Sequence, residues 1–104
     1  HNLIAIVDKN NYQSFTTTQE TLNMDPLEDK FTSFGWNVYS VDGHSHAELS
    51  ASLSNAKLHA ESPSVIIANT VKGKGVSFME NNVAWHYKNP SEEQLSCALK
   101  EVLG

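Results

Sequence analysis

Two short apolar runs, "LIAIVD" at residues 3–8 and "SVIIANTV" at residues 64–71, constrain this chain more than anything else in it. Both are continuous rather than alternating and rich in β-branched residues, the pattern of strands covered on both faces. Such strands belong to parallel sheets, where a crossover, usually a helix, must join one strand to the next. The crossover signals are present. "DPLEDKFTSFG" offers Asp25 as N-cap, Pro26 as first helical residue, Glu28 three residues after the cap and Gly35 as the stop, with Leu27, Phe31 and Phe34 on one face. "SHAELSASLSNAKLHA" opens with the box Ser45-x-x-Glu48 and aligns Leu49, Leu53, Ala56 and Ala60. Between these two helices "WNVYSVD", residues 36–42, reads as a further strand with a less decisive face. A last helix is expected in "NPSEEQLSCALKEVLG", with Ser91-x-x-Gln94 or Asn89-x-x-Glu92 as its box and Leu95, Ala98, Leu99 and Val102 on one side. The order β, loop, α, β, α, β, long loop, α predicts an α/β fold on a parallel sheet, with three strands and three helices visible. Phe31, Phe34 and Trp36 are expected in its core.

Size and charge narrow what such a sheet can serve. A chain of 104 residues holds at most one domain. Twelve Asp and Glu against seven Lys and Arg leave a net charge of −5, which argues against a nucleic-acid partner and makes any anion site local. No apolar run approaches the roughly 20 residues of a membrane span, so no membrane partner is expected. The single Cys97 has no partner for an internal disulfide and favours a reducing compartment, hence the cytoplasm. It falls on or near the apolar stripe of the last helix and is expected in the core. The chain opens without Met, directly on a strand, and is expected to be a piece of a longer protein.

Ligands of parallel sheets bind beyond the carboxyl ends of the strands. Four polar segments follow the three strands here: "DKNNYQ", "DGHSH", "KGKG" and, further on, "WHYK". Asp8, Asn10 and Asn11 are either turn formers or hard oxygen donors suited to Mg²⁺ or Ca²⁺ rather than zinc. Lys72 and Lys74, set among Gly73 and Gly75, make either a solvated turn or a local phosphate site. A lysine is a compact charge suited to phosphate, and glycine lets backbone come close. A Mg²⁺-diphosphate site reconciles both segments with an acidic chain, because Mg²⁺ takes one or two protein oxygens and completes its shell with water and phosphate. His44-x-His46 has the spacing of a metal pair, yet His46 falls in the first turn of a helix.

Taken together, "NLIAIVDKNNYQS", "DPLEDKFTSFGWNVYSVDGHSHAEL" and "PSVIIANTVKGKGVSFMENNVAWHYKNPSEEQL" resemble the thiamine diphosphate-binding domain of transketolase, in its bacterial N-terminal-subunit type. The likeness runs nearly end to end in one register, and "TVKGKGVSFMENNVAWH" is far more specific than an isolated Gly-x-Gly. It implies thiamine diphosphate and Mg²⁺ (or Ca²⁺) as cofactors. By this resemblance Asn10 gives its side-chain oxygen to the metal and Tyr12 its backbone carbonyl. Lys72 lies near the diphosphate, His86 faces thiazolium and substrate as the catalytic group and also meets the cofactor, and Lys88 stands near the substrate entrance. The Gly-Asp-Gly segment that opens the family's diphosphate motif is absent, so residues 1–104 are expected to be a partial domain, its carboxyl-terminal half. Tyr87 replaces a frequent glycine, which leaves the backbone path there open. Ser14 stands where the family often places an apolar residue against the cofactor, and no contact is assigned to it.

The resemblance implies a transketolase, moving a two-carbon ketol unit from a ketose phosphate to an aldose acceptor in carbohydrate metabolism of the pentose phosphate type. Its implied partners are sugar phosphates and the pyrimidine-binding domain or C-terminal subunit, which carries the glutamate that activates the cofactor. The implied assembly is a homodimer or a heterotetramer of subunits. Isolated, these residues are expected to be inactive. Two alternatives stay open: another thiamine diphosphate enzyme, such as a 1-deoxyxylulose-phosphate synthase or a dehydrogenase component, and a non-catalytic fragment that needs a partner chain. "GKGVSFMEN…WH" argues against the first.

Overall fold

The chain's structure, a computed structural model, describes residues 2–59 and 61–104. In chain order it contains β1 (Ile4–Lys9), α1 (Thr18–Thr21), α2 (Leu27–Ser33), β2 (Asn37–Asp42), α3 (His46–Leu58), β3 (Ser64–Asn69) and α4 (Glu92–Leu103), with a 3₁₀ turn at Val83–His86. The expected α/β order is therefore present. α1 and the 3₁₀ turn are additions inside segments that read as loops.

The most apolar run takes the middle of the sheet. Strand order is β1-β3-β2, all parallel, and Val65, Ile66 and Ile67 of β3 are wholly buried. Removing each such side chain from water stabilises the fold by about 1.5–3 kcal/mol. β1, whose sequence predicts cover on both faces, is instead an edge strand, with a neighbour on one side only among the described residues. Its Ile6 is left 57% exposed. The register sets Lys9 and Asp42 level with Asn69, so all three carboxyl ends finish in one line. That line is where the site forms.

The helices cap and pack with several corrections to the sequence reading. At α2 the N-cap position is Pro26, without a side-chain cap, and Asp25 instead pairs with Lys9 Nζ at 2.7 Å. An ammonium on the neighbouring strand attracts the carboxylate more strongly than neutral helix N–H groups do. Glu28 completes no box: its carboxylate accepts from Ser40 Oγ at 3.1 Å and lies 3.8 Å from Lys9 Nζ. Phe31 packs edge-on against Trp36 at 5.3 Å, whereas Phe34 is 81% exposed at the C-cap, beyond the turns that face the sheet. Half of the expected box forms at α3: Ser45 Oγ accepts from Glu48 N at 3.3 Å, but the Glu48 carboxylate accepts from Asp42 N. Ser52 and Ala56 are the buried residues of that helix, which ends at Leu58. Ala60, expected on the same face, lies outside the described residues.

α4 has the complete box, with Ser91 and Gln94 each satisfying the other's backbone N–H. Its buried residue is Ala98, and Leu95, Leu99 and Val102 remain about half exposed or more. Cys97 is exposed rather than core. One residue is about 100° of helix rotation, enough to carry it off a stripe centred on Ala98. The radius of gyration is 16.5 Å, against about 13 Å for a compact domain of this length. The molecule is an open slab.

Candidate functional site

The segment after β1 folds into a closed loop rather than a plain turn. Asn10 Oδ1 accepts from Tyr12 N at 2.9 Å, a side-chain-closed turn that accounts for Asn at this position. Asn11 takes the left-handed region at φ 63°, a conformation Asn tolerates. Gln13 N to Thr16 O at 3.0 Å and Thr18 N to Asn11 O at 2.9 Å then close an antiparallel bridge between Tyr12 and Thr17. Within it the Tyr12 carbonyl accepts no hydrogen bond from the described residues. Thr17 caps α1, and hydroxyls of Thr16 and Thr17 hold the Glu20 carboxyl below the usual carboxylate range.

The three strand ends are sewn together by the residues that follow them. Thr70 donates through its hydroxyl to Asp8 and through its N–H to Lys9 O at 3.1 Å. Asn69 Nδ2 donates across to Ser40 Oγ and Val41 O, both at 3.2 Å, and Gly43 N donates to Asn69 O at 2.8 Å. Asp8 is thereby occupied by Thr70. His44 is occupied too, since its Nε2 accepts from Val71 N at 2.7 Å. Among the described residues no group of three or more His, Cys, Asp or Glu stands together in a way that could hold a metal.

The "KGKG" segment is a series of tight turns, with Lys74 N bonded to Val71 O, Val76 N to Gly73 O and Asn81 N to Lys72 O at 2.9 to 3.2 Å. Val76 is buried beneath it. Its two lysines have separate fates. Lys74 Nζ lies 3.9 Å from Glu80 Oε1, which also accepts from Gly75 N. Lys72 is half-buried and has no carboxylate partner among the described residues. From α4, Glu101 ties the loop down by accepting from Ser77 N at 2.6 Å and Ser77 Oγ at 2.9 Å.

Trp85 explains the tryptophan of "WH". Its Nε1 donates to Phe78 O at 2.9 Å and its ring lies 5.3 Å from that of Phe78, so it anchors the 3₁₀ turn that Asn82 caps. The next residue, His86, is exposed, with Tyr87 edge-on at 4.7 Å and Ser14 Oγ at 3.3 Å from its Nε2.

These loops converge. A small cleft of about 90 Å³ is lined by Asn10, Tyr12, Gln13, Lys72 and His86. It opens beside a larger polar cleft of about 520 Å³ that shares Asn10 and Tyr12 and adds Thr70, Val71 and Asn81 among others. Four of the five residues singled out from sequence thus meet in one place. Lys88, the fifth, is exposed and outside that lining. Sequence reasoning misses Gln13, and it assigns no contact to Ser14. No local signal marks Ser14, which meets His86 across 72 residues of chain.

The donor set suits an anionic group such as a diphosphate and offers part of a metal's shell. Lys72 brings one uncompensated positive charge, Asn10 an amide oxygen and Tyr12 an unpartnered carbonyl, while the cleft's lining contains no carboxylate. Two neutral oxygens, of which the Asn10 oxygen already accepts from Tyr12 N, are only part of a Mg²⁺ shell, because Mg²⁺ is held through one or two carboxylates together with phosphate oxygens and water.

The family model described as "Transketolase, thiamine diphosphate binding domain" matches residues 1–104. A 6-deoxy-6-sulfo-D-fructose transketolase subunit of Clostridium sp. (strain MSTE9) is 43% identical over 100 residues, covering 96% of this chain and 36% of its own length. One of the apulose-4-phosphate transketolase subunits of Phocaeicola vulgatus is 36% identical over 101 residues, covering 97% of this chain and 36% of the relative. Among solved structures, transketolase from Campylobacter jejuni superposes with a TM-score of 0.87 at 29% identity, over 97% of this chain and 16% of that one. The chain therefore spans about a third of the length of those two relatives.

Proposed function

The chain belongs to the transketolase family, matching its thiamine diphosphate-binding domain, and from that premise we propose that it forms part of a ketol-transferring enzyme and holds the diphosphate end of the cofactor. The observation that carries this reading is the convergence of Asn10, Tyr12, Lys72 and His86 on one cleft beyond the strand ends. In it the Lys72 ammonium would hold the diphosphate, and the Asn10 side-chain oxygen and Tyr12 carbonyl would supply two of the oxygens that hold Mg²⁺. When bound, thiamine diphosphate supplies the carbon nucleophile that lets a carbon–carbon bond break and re-form. His86 holds or moves a proton at the sugar's reacting oxygen, work suited to an imidazole, whose two ring nitrogens can donate and accept. Lys88, exposed two residues further on, receives the anionic end of the sugar at the entrance.

We read residues 1–104 as part of a larger domain, working with a pyrimidine-binding domain or second subunit in a dimer or a heterotetramer, in the cytoplasm. The donor is an anionic ketose. The names of the relatives point to two classes, a 6-deoxy-6-sulfo sugar and a sugar 4-phosphate, rather than to the pentose phosphates alone. The test is ketol transfer by the complete protein with its partner subunit, across ketose phosphates and sulfosugars, with thiamine diphosphate and Mg²⁺ titrated. Transfer that requires both cofactors is the expected result, and the 104 residues alone should show none. Transfer unaffected by omitting the cofactor would overturn the reading.

A further inference from the structure

We propose that Ser14 is a positioning residue that sets the orientation of the His86 imidazole, an inference that rests on the role given to His86 above. An exposed histidine at the end of a short 3₁₀ turn is otherwise free to rotate and to exchange tautomers. Here two contacts restrain it. The Tyr87 ring meets it edge-on at 4.7 Å and 83°, and Ser14 Oγ lies 3.3 Å from Nε2. The serine is not casually placed. It follows Gln13, whose N–H is bonded to Thr16 O and whose side chain donates to Thr21, inside the loop closed by the Tyr12–Thr17 bridge. Its hydroxyl makes no other hydrogen bond among the described residues.

The chemistry of the pair favours a hydroxyl over a carboxylate. A serine donates to a neutral imidazole nitrogen and accepts from a protonated one by turning its O–H. The ring can therefore gain and lose a proton without losing its support. A carboxylate would hold the charged form and resist its release. Ser14 reaches the ring from the β1 loop, while His86 itself, on the segment after β3, lines a cleft together with Lys72. The contact thus couples the two loops at the group that meets the sugar.

The complete protein with its partner subunit provides the test, in Ser14→Ala and Ser14→Thr variants. The first readout needs no turnover: ¹⁵N shifts of the His86 ring nitrogens, in ¹⁵N-histidine-labelled protein without cofactor, should move in Ser14→Ala and return towards the original values in Ser14→Thr. The second is kinetic. Losing one neutral hydrogen bond should lower kcat by about 2- to 12-fold, with cofactor affinity changed by less than about twofold. Ser14→Ala should add no further loss in a His86→Ala background. Unchanged ring shifts in Ser14→Ala would overturn the inference, as would a kinetic loss that adds in full to that of His86→Ala. Shifted nitrogens with a kinetically silent His86→Ala would uphold the contact and remove the acid–base reading of His86 instead.

Discussion

Gly73 lies against the backbone of Met79, so closely that a Cβ built on it would stand 2.5 Å from the Met79 carbonyl oxygen and 2.7 Å from its carbon. Its φ is +74°, in the left-handed region. The glycine beside Lys72 is thus required by the loop's own folding, before any ligand arrives. Gly73→Ala should cost about 1–2 kcal/mol for the backbone region and a further 1–3 kcal/mol or so for the clash. Gly75 has φ +94° but nothing within 4 Å of the corresponding Cβ, so Gly75→Ala carries the conformational cost alone. Urea unfolding of the two variants measures the difference. Equal losses would show that the Met79 contact yields.

The two lysines of "KGKG" should behave differently. On the proposed reading Lys72→Met would remove a charge-assisted contact to the diphosphate and should weaken cofactor binding by about 1.5–3 kcal/mol, roughly 10- to 150-fold. Lys74→Met breaks an exposed pair with Glu80 at 3.9 Å and should stay within about twofold. Calorimetric titration of thiamine diphosphate with Mg²⁺ into the complete protein decides between them. A larger effect at Lys74 would reverse the assignment.

Asn10→Ala should lower the apparent cofactor affinity at fixed Mg²⁺, and added Mg²⁺ should recover part of it. The loss is expected near 1.5–3 kcal/mol, the scale of contacts to charged partners. Because Asn10 also closes the turn onto Tyr12 N, a circular dichroism melt should accompany the titration. Unchanged affinity would leave Asn10 a turn residue and nothing more.

His86→Ala should separate catalysis from capture. Cofactor affinity is expected to stay within a few-fold. kcat/KM should fall by about 10²- to 10⁴-fold, the range for a positioned acid or base. His86→Asn, which bonds but does not titrate, should recover only part. Steady-state kinetics at saturating cofactor, beside a cofactor titration, reads both quantities, and full activity in His86→Ala would make it a neighbour of Trp85 only.

Stability should carry a signature of Asp25. The hydrogen bond from Lys9, opposed by some desolvation and helped by the charge of Lys9, holds its carboxyl below the usual carboxylate range. A depressed folded-state value means the contribution is fully present above the unfolded value, about 3.9, and is lost as pH falls through the lowered one. Asp25→Asn should therefore unfold at lower urea than the parent at pH 7, with the gap closing below pH 4. A gap that persists in acid would assign the loss to packing at α2.

What sequence alone determined is what neighbours in the chain decide. Val65, Ile66 and Ile67 announce a buried strand because apolar continuity is local, and Ser91 with Gln94 caps α4 because box partners sit within one turn. The resemblance of "TVKGKGVSFMENNVAWH" to a transketolase domain is legible for the same reason, as contiguous text. Tertiary structure decided the rest. Among the described residues it placed the last strand between β1 and β2 and left Ile6 more than half exposed. It drew Asp25 from a helix cap to Lys9 on a neighbouring strand, where a charged partner attracts it more strongly than backbone N–H groups. It also separated Lys72 from Lys74 by what faces each, although the two are all but identical in sequence context. Thr70 with Asp8 and Ser14 with His86 meet across 62 and 72 residues. No spacing rule reaches that far, because the only force joining such residues is the packing that first brings their loops together.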